Sequence, residues 1–225
     1  MTMTIEVKIC GLRSEDALDA ALVAGADYVG FVFFARSPRN IAPVAARVLA
    51  DKARGRAKVV ALLVDPDDAL VADVVGTVEP DIIQLHGSET AERVGEIARR
   101  FGRPVMKAVR VADASDVAAA LAYAGSAERI LFDAKASDEA GALPGGNGVA
   151  FDWRVLAGLD EGIDYMLAGG LTAENVAEAV RLTGAHAVDV SSGVESRPGE
   201  KDPELIRRFI RAAKTAKQTA TATEQ

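Results

Sequence analysis

YMLAGGLTAENVAEAVRLTGAHAVDVSSG, residues 165–193, reads as one complete structural unit. Tyr165–Ala168 is a short apolar run stopped by Gly169 and Gly170. Ala173–Leu182 spaces its apolar residues at helical intervals, with Thr172 as a candidate N-cap. Ala187–Val190 is a second short apolar run, and it ends in Ser191-Ser192-Gly193. Runs this short, bounded by turn residues, are strands. Two strands joined through a helix are parallel, and the crossover is right-handed.

The same unit recurs outward along the chain. Further apolar runs lie at Glu6–Cys10, Tyr28–Phe33, Lys58–Leu63, Ile82–Leu85, Val105–Ala108 and Ile130–Phe132. Helical spacing is clear at Glu15–Val23, Glu89–Arg100, Asp116–Tyr123 and Pro203–Ala213, the last with Asp202 as a candidate cap. Eight runs in this order predict an α/β fold: a single-domain (β/α)8 barrel of eight parallel strands over residues 1–214. Residues 215–225 are polar and Thr/Ala-rich, and read as a frayed tail. An open doubly wound sheet is the competing architecture, but no G-x-G-x-x-G follows the first run.

Composition narrows the function. The chain has 225 residues and a formal charge of −7, which argues against a nucleic-acid partner. No apolar stretch is long enough for a bilayer and the N-terminus has no signal core, so no membrane partner is expected and the cytoplasm is the expected compartment. The single cysteine, Cys10, permits no internal disulfide. His86 and His186 fall at opposite ends of their strands, so no catalytic metal is expected, and no cofactor.

In this fold chemistry sits at the C-terminal ends of the strands. There the sequence places Cys10, Phe33, His86, Arg110, Asp133, Gly169-Gly170 and Ser191-Ser192-Gly193. The glycines after the seventh run and the Ser-Ser-Gly after the eighth suit a phosphate, because main-chain N–H groups approach an anion closely there. Gly145-Gly146-Asn147-Gly148 offers a further main-chain wall. Cys10 and Asp133, across the mouth, are a candidate base and acid for proton transfer. Lys8 points the same way as Cys10, so its ammonium is expected to favour the thiolate. Asp133 follows apolar Ile130-Leu131-Phe132 and is the candidate proton donor. Asp189 faces inward, to orient a ligand hydroxyl or to pair with Lys8. Arg36 and Arg39 are both placed to grip a carboxylate, and spacing does not choose between them. Phe33 and Phe34 read as core more readily than as pocket.

Taken in order, Lys8-Ile9-Cys10-Gly11, Gly30-Phe31-Val32-Phe33, Ser37-Pro38-Arg39, Gln84-Leu85-His86-Gly87, Leu131-Phe132-Asp133, Gly145–Gly148 with Phe151-Asp152-Trp153, Ala168–Leu171 and Val188–Glu195 resemble the phosphoribosylanthranilate isomerase family of tryptophan biosynthesis. The resemblance spans Lys8 to about Lys214. It implies an Amadori rearrangement of N-(5-phosphoribosyl)anthranilate to 1-(2-carboxyphenylamino)-1-deoxyribulose 5-phosphate. It also implies Cys10 as general base, Asp133 as general acid, and Arg39 on the anthranilate carboxylate. Gln84, His86 and Asp189 would help hold the substrate, with Gly146, Gly148, Gly169, Gly170, Ser191, Ser192 and Gly193 around its phosphate. Ala35 and Asn147 depart from residues common in the family, and neither removes a reacting group. The expected partner is this small phosphorylated substrate, bound by a monomer or homodimer. Rival readings are another sugar-phosphate isomerase using Asp133 and His86, and a phosphate-binding module with no chemistry. The Gly-rich stretch Lys135–Gly148 reads as a loop over the mouth.

Overall fold

The computed structural model describes residues 4–134, 152–156, 159 and 163–220. Eight parallel strands form a closed barrel: β1 (Glu6–Cys10), β2 (Tyr28–Phe33), β3 (Lys58–Leu63), β4 (Ile82–Leu85), β5 (Val105–Val111), β6 (Arg129–Ala134), β7 (Tyr165–Leu167) and β8 (Ala187–Val190). Each pairs with the next, and β8 returns to β1 in the register Lys8↔Asp189. Helices α1 (Glu15–Ala24), α2 (Pro43–Ala53), α3 (Asp68–Val78), α4 (Ala91–Phe101), α5 (Ala114–Ala120), α6 (Val176–Thr183) and α7 (Pro203–Ala220) lie outside. A short antiparallel ribbon, β9 (Glu195–Arg197) and β10 (Glu200–Lys201), follows β8.

Two-residue periodicity sorts every strand. Val7, Ile9, Val29, Phe31, Val59, Ala61, Ile83, Leu85, Phe132 and Val188 point outward into the main apolar layer beneath the helices. Tyr28, Val60, Ile82, Met106, Ala108, Leu131, Met166, Ala168 and Ala187 fill the barrel's interior. Above them Cys10, Val32 and Leu62, with Phe34 against them, form a third cluster at the mouth. Phe33 is therefore core, whereas Phe34 lines the wall beside Cys10.

Several boundaries differ from the sequence reading, each for a local reason. Five strands begin and end where expected, while β5 continues to Val111 because it pairs with β6 as far as Val111↔Ala134. α2 and α3 join elements whose helicity the spacing did not single out. α4 starts at Ala91, since Thr90 Oγ1 caps Arg93 N–H and the Glu89 carboxylate is used elsewhere. α5 starts earlier, at Ala114, because Asp113 caps it, and it tightens into a 3-10 turn at Leu121–Tyr123. α6 starts at Val176 rather than Ala173. Asn175 folds the preceding turn by accepting from Thr172 N–H and donating to Gly170 O, although Thr172 Oγ1 still accepts from Glu174 N–H. Asp202 caps α7 as expected, but the helix runs to Ala220, past the expected boundary at Lys214. The remainder of the expected tail lies outside the described residues. Among those described, no helix is long and apolar enough to cross a membrane.

Candidate active site at the barrel mouth

Alternation along β1 puts Lys8 and Cys10 on the inner face, one above the other. Lys8 is fully buried and Cys10 is 4% exposed. A lysine inside a barrel needs a counter-ion, and register supplies it from the neighbouring strand. Lys8 Nζ donates to Asp189 Oδ1 at 2.9 Å. Burial pulls the Lys8 ammonium down, but Asp189 and Cys10 together outweigh it and hold the group above the ordinary lysine value. Opposite Cys10 across the strand pair stands Gly30, where a Cβ would come to 3.2 Å from Cys10 Sγ and 3.3 Å from Lys8 Cε.

The expected effect of Lys8 on the thiol is present in sign but not in outcome. Burial pushes the Cys10 thiol up. Lys8 pulls it down, Asp189 pushes it back, and Lys201 pulls it down again. The net result is a thiol raised above its ordinary value, chiefly because of burial, with Asp189 offsetting part of the lysine it neighbours.

On the far wall, β4 and β6 carry a chain of buried polar groups. Gln84 Nε2 donates to His86 Nδ1 at 3.0 Å, and His86 Nε2 lies 3.2 Å from Asp133 Oδ2. A ring nitrogen that accepts from the amide leaves the other to carry the proton toward the carboxylate. The Asp133 carboxyl thus meets an imidazole rather than a purely apolar wall. Gln84, expected on the substrate, is completely buried; it reaches His86, and its Oε1 has no hydrogen-bond partner among the described residues. Behind this chain Lys107 donates to Gly87 O at 2.7 Å and to Glu89 Oε2 at 2.8 Å. Glu89 also accepts from Asp65 and Gly87 N–H, so the turn after His86 is anchored from outside the barrel.

The two candidate arginines separate by environment. Arg36 is exposed, whereas Arg39 is 7% exposed and reaches the mouth. Arg39 Nε and Nη2 hold Glu195 Oε1 and Oε2, each at 2.8 Å. That fork edge is therefore engaged by a carboxylate of the protein itself, which the sequence reading did not assign. Glu195 also accepts from Lys201 Nζ at 2.7 Å. Burial pushes Glu195 up, but Arg39 and Lys201 overcome it and hold its carboxyl below the usual range. Neither Glu195 nor Lys201 was singled out as functional, although Glu195 ends the Val188–Glu195 motif; Pro198-Gly199 marks the turn of their ribbon.

The loops after β7 and β8 meet backbone to backbone. A Cβ on Gly193 would stand 2.0 Å from Leu171 O, so no larger residue fits without parting the loops. Gly169 and Gly170 hold φ of 88° and 65°, the left-handed region that glycine enters without penalty. Gly169, Gly170, Ser191, Ser192 and Gly193 share this rim, all partly accessible. Ser191 Oγ donates to Cys10 O at 3.2 Å, tying the rim to the end of β1. Gly146, Gly148 and the stretch Lys135–Gly148 lie outside the described residues.

Comparisons with known proteins converge. The family model described as N-(5'phosphoribosyl)anthranilate (PRA) isomerase matches residues 7–212. A Rhodopseudomonas palustris (strain BisB18) protein named N-(5'-phosphoribosyl)anthranilate isomerase is 57% identical over 216 residues, 96% of this chain and 99% of its own. The crystal structure of phosphoribosyl anthranilate isomerase from Thermotoga maritima aligns with a TM-score of 0.84 at 36% identity, covering 93% of this chain and 98% of that one. A crystal structure of phosphoribosyl anthranilate isomerase in complex with reduced 1-(o-carboxyphenylamino)-1-deoxyribulose 5-phosphate aligns with a TM-score of 0.81 at 35% identity and the same coverage.

Proposed function

The chain belongs to the N-(5'-phosphoribosyl)anthranilate isomerase family, and we propose that it catalyses the Amadori rearrangement of N-(5'-phosphoribosyl)anthranilate by general acid and base catalysis, a step of tryptophan biosynthesis. The observation that carries this reading is the placement of Cys10 and Asp133. Each is the inward-facing group near the C-terminal end of its strand, β1 and β6, and each is buried at the mouth.

In the proposed sequence Asp133 gives a proton to the ring oxygen, and the furanose opens to a protonated Schiff base. Its iminium acidifies the neighbouring C2′ hydrogen. Cys10, as thiolate, takes that proton, and the electron pair flows to nitrogen to give an enolamine. Tautomerisation then yields the ketose. His86 orients Asp133 through the 3.2 Å contact. Asp189 holds Lys8 beside the thiol and offers its remaining oxygen to a substrate hydroxyl. Arg39 takes the anthranilate carboxylate. Gly169, Gly170 and Ser191–Gly193, with Gly146 and Gly148, take the phosphate, at the position where this fold commonly binds one.

The test is loss of phosphoribosylanthranilate fluorescence on mixing with purified protein, beside Cys10→Ser, Asp133→Asn and His86→Gln. The proposed roles require the first two variants to lose most of kcat and the third to keep more of it. Activity surviving Cys10→Ser but not His86→Gln points instead to an isomerase using Asp133 as base and His86 as electrophile. No turnover by folded protein leaves only a phosphate-binding barrel.

A further inference from the structure

Lys201 lies in the ribbon, ten residues beyond Ser191, the first residue after β8, yet its side chain is only 2% exposed. Its Nζ donates to Ser191 O at 2.9 Å, to Ser191 Oγ at 3.2 Å and to Glu195 Oε1 at 2.7 Å. An ammonium has three protons, and these bonds use all three. Lys201 is thus fixed by the protein and acts through its neighbours. One neighbour leads directly to the reacting group, since Ser191 Oγ donates to the carbonyl of Cys10.

The charges around Cys10 come from three elements. Its own strand contributes Lys8, β8 contributes Asp189, and β10 contributes Lys201; β2 faces it with Gly30, which has no side chain. Lys8 is matched at 2.9 Å by Asp189, so a negative charge on sulfur needs a second cation. Glu195 divides its charge between Lys201 and Arg39, which leaves the Lys201 ammonium incompletely balanced.

We propose that Lys201 is a positioning residue for the reaction: a buried ammonium, clamped beside the end of β1 by Ser191 and Glu195, whose charge supports the Cys10 thiolate. This rests on the reading of Cys10 as base, but its physical content is the coupling between two side chains. Burial, with Arg39 beside it, leaves Lys201 below the ordinary lysine range, while Glu195 and Cys10 act in the opposite direction and favour its ammonium.

Cys10 is the only cysteine, so its ionisation is read directly from thiolate absorbance against pH, with the Cys10→Ser protein as the blank. Lys201→Met lowers the thiolate fraction at fixed pH by about tenfold, a shift of about one pH unit. Lys201→Arg restores it. Lys201→Gln keeps a hydrogen bond without the charge; it behaves like Lys201→Met and serves if that variant does not fold. On the acidic side of the thiol transition kcat/KM falls in proportion, and at high pH it converges on wild type. Titration curves of Lys201→Met or Lys201→Gln that coincide with wild type overturn the proposal, whatever happens to turnover. Isomerase activity retained by Cys10→Ser removes the base role instead, and the titration still decides the coupling.

Discussion

Replacing Lys8 by methionine is the most informative perturbation of stability. The pair it breaks is buried on both sides, with side-chain exposures of 0% and 8%, at 2.9 Å. At an effective dielectric of about 20, two unit charges at that distance attract by about 6 kcal/mol. Desolvation offsets much of this, so the pair's net worth is small. Losing one partner is different, because Asp189 then stays buried without a counter-charge. Lys8→Met should cost about 3–5 kcal/mol, as should Asp189→Leu. For a chain of this size that lowers Tm by roughly 6–20 °C. The double variant leaves no orphaned charge and should fall within about 2 kcal/mol of wild type. Its departure from additivity should therefore reach about 4 kcal/mol or more. Urea unfolding followed by circular dichroism measures all three. The pH dependence has a definite sign. Lys8 lies above its ordinary value of 10.5 in the folded protein. Its contribution is full below that value and is lost as pH rises through the raised one, so the deficit of Lys8→Met should be flat from about pH 6 to 9. Additive single costs would refute the reasoning, as would a Lys8→Met penalty below about 1 kcal/mol.

Further outcomes follow from other contacts. Gly30→Ala puts a methyl 3.2 Å from Cys10 Sγ and should cost about 1–3 kcal/mol while lowering kcat; thermal melts and initial rates check it, and a wild-type kcat counts against the packing. Gly193→Ala must part the loops after β7 and β8, so KM should rise by up to about a hundredfold; an unchanged KM argues that no phosphate sits there. Glu195 is held below its ordinary 4.5, so it stabilises the fold above that value and the benefit disappears as pH falls through the lower, folded one. Wild-type Tm should therefore drop more steeply on the acid side than that of Glu195→Gln, and parallel curves would remove Glu195 from the account. Lys107→Met leaves Glu89 buried with its N–H donors but without its counter-charge, and should cost about 3–5 kcal/mol in urea titrations.

What the chain disclosed beforehand was governed by range. Strand periodicity is local, so β1 to β4 and β8 were bounded correctly, and Lys8, Cys10, His86 and Asp189 could be placed from spacing, whereas Gln84 entered only through the family motif. α3 was less legible because DALVADVVGTV is rich in valine, which favours strands, and it is helical in part because Asp67 caps it and Val71, Val74 and Val78 find the barrel wall. α2 begins at Pro43 after Ala42, which gives no side-chain cap. The start of α4 was misjudged because Glu89 serves a distant lysine instead of its own helix. Ion pairs such as Arg39 with Glu195, 156 residues apart, leave no periodic trace at all. Arg39 was separable from Arg36 only through the family resemblance and then through burial.

The barrel closes where its first strand meets its last, and the candidate chemistry stands on that seam. Lys8 finds Asp189, and Cys10 finds Ser191, across 181 residues each. These are among the longest-range contacts the chain can make, and they form late in any order of assembly governed by loop closure. A nascent chain still missing its eighth unit would own a thiol, a carboxyl and seven strands, yet lack the counter-ion and the tether that give β1 its setting. Competence therefore arrives with ring closure, and partly built barrels should be inert toward substrate.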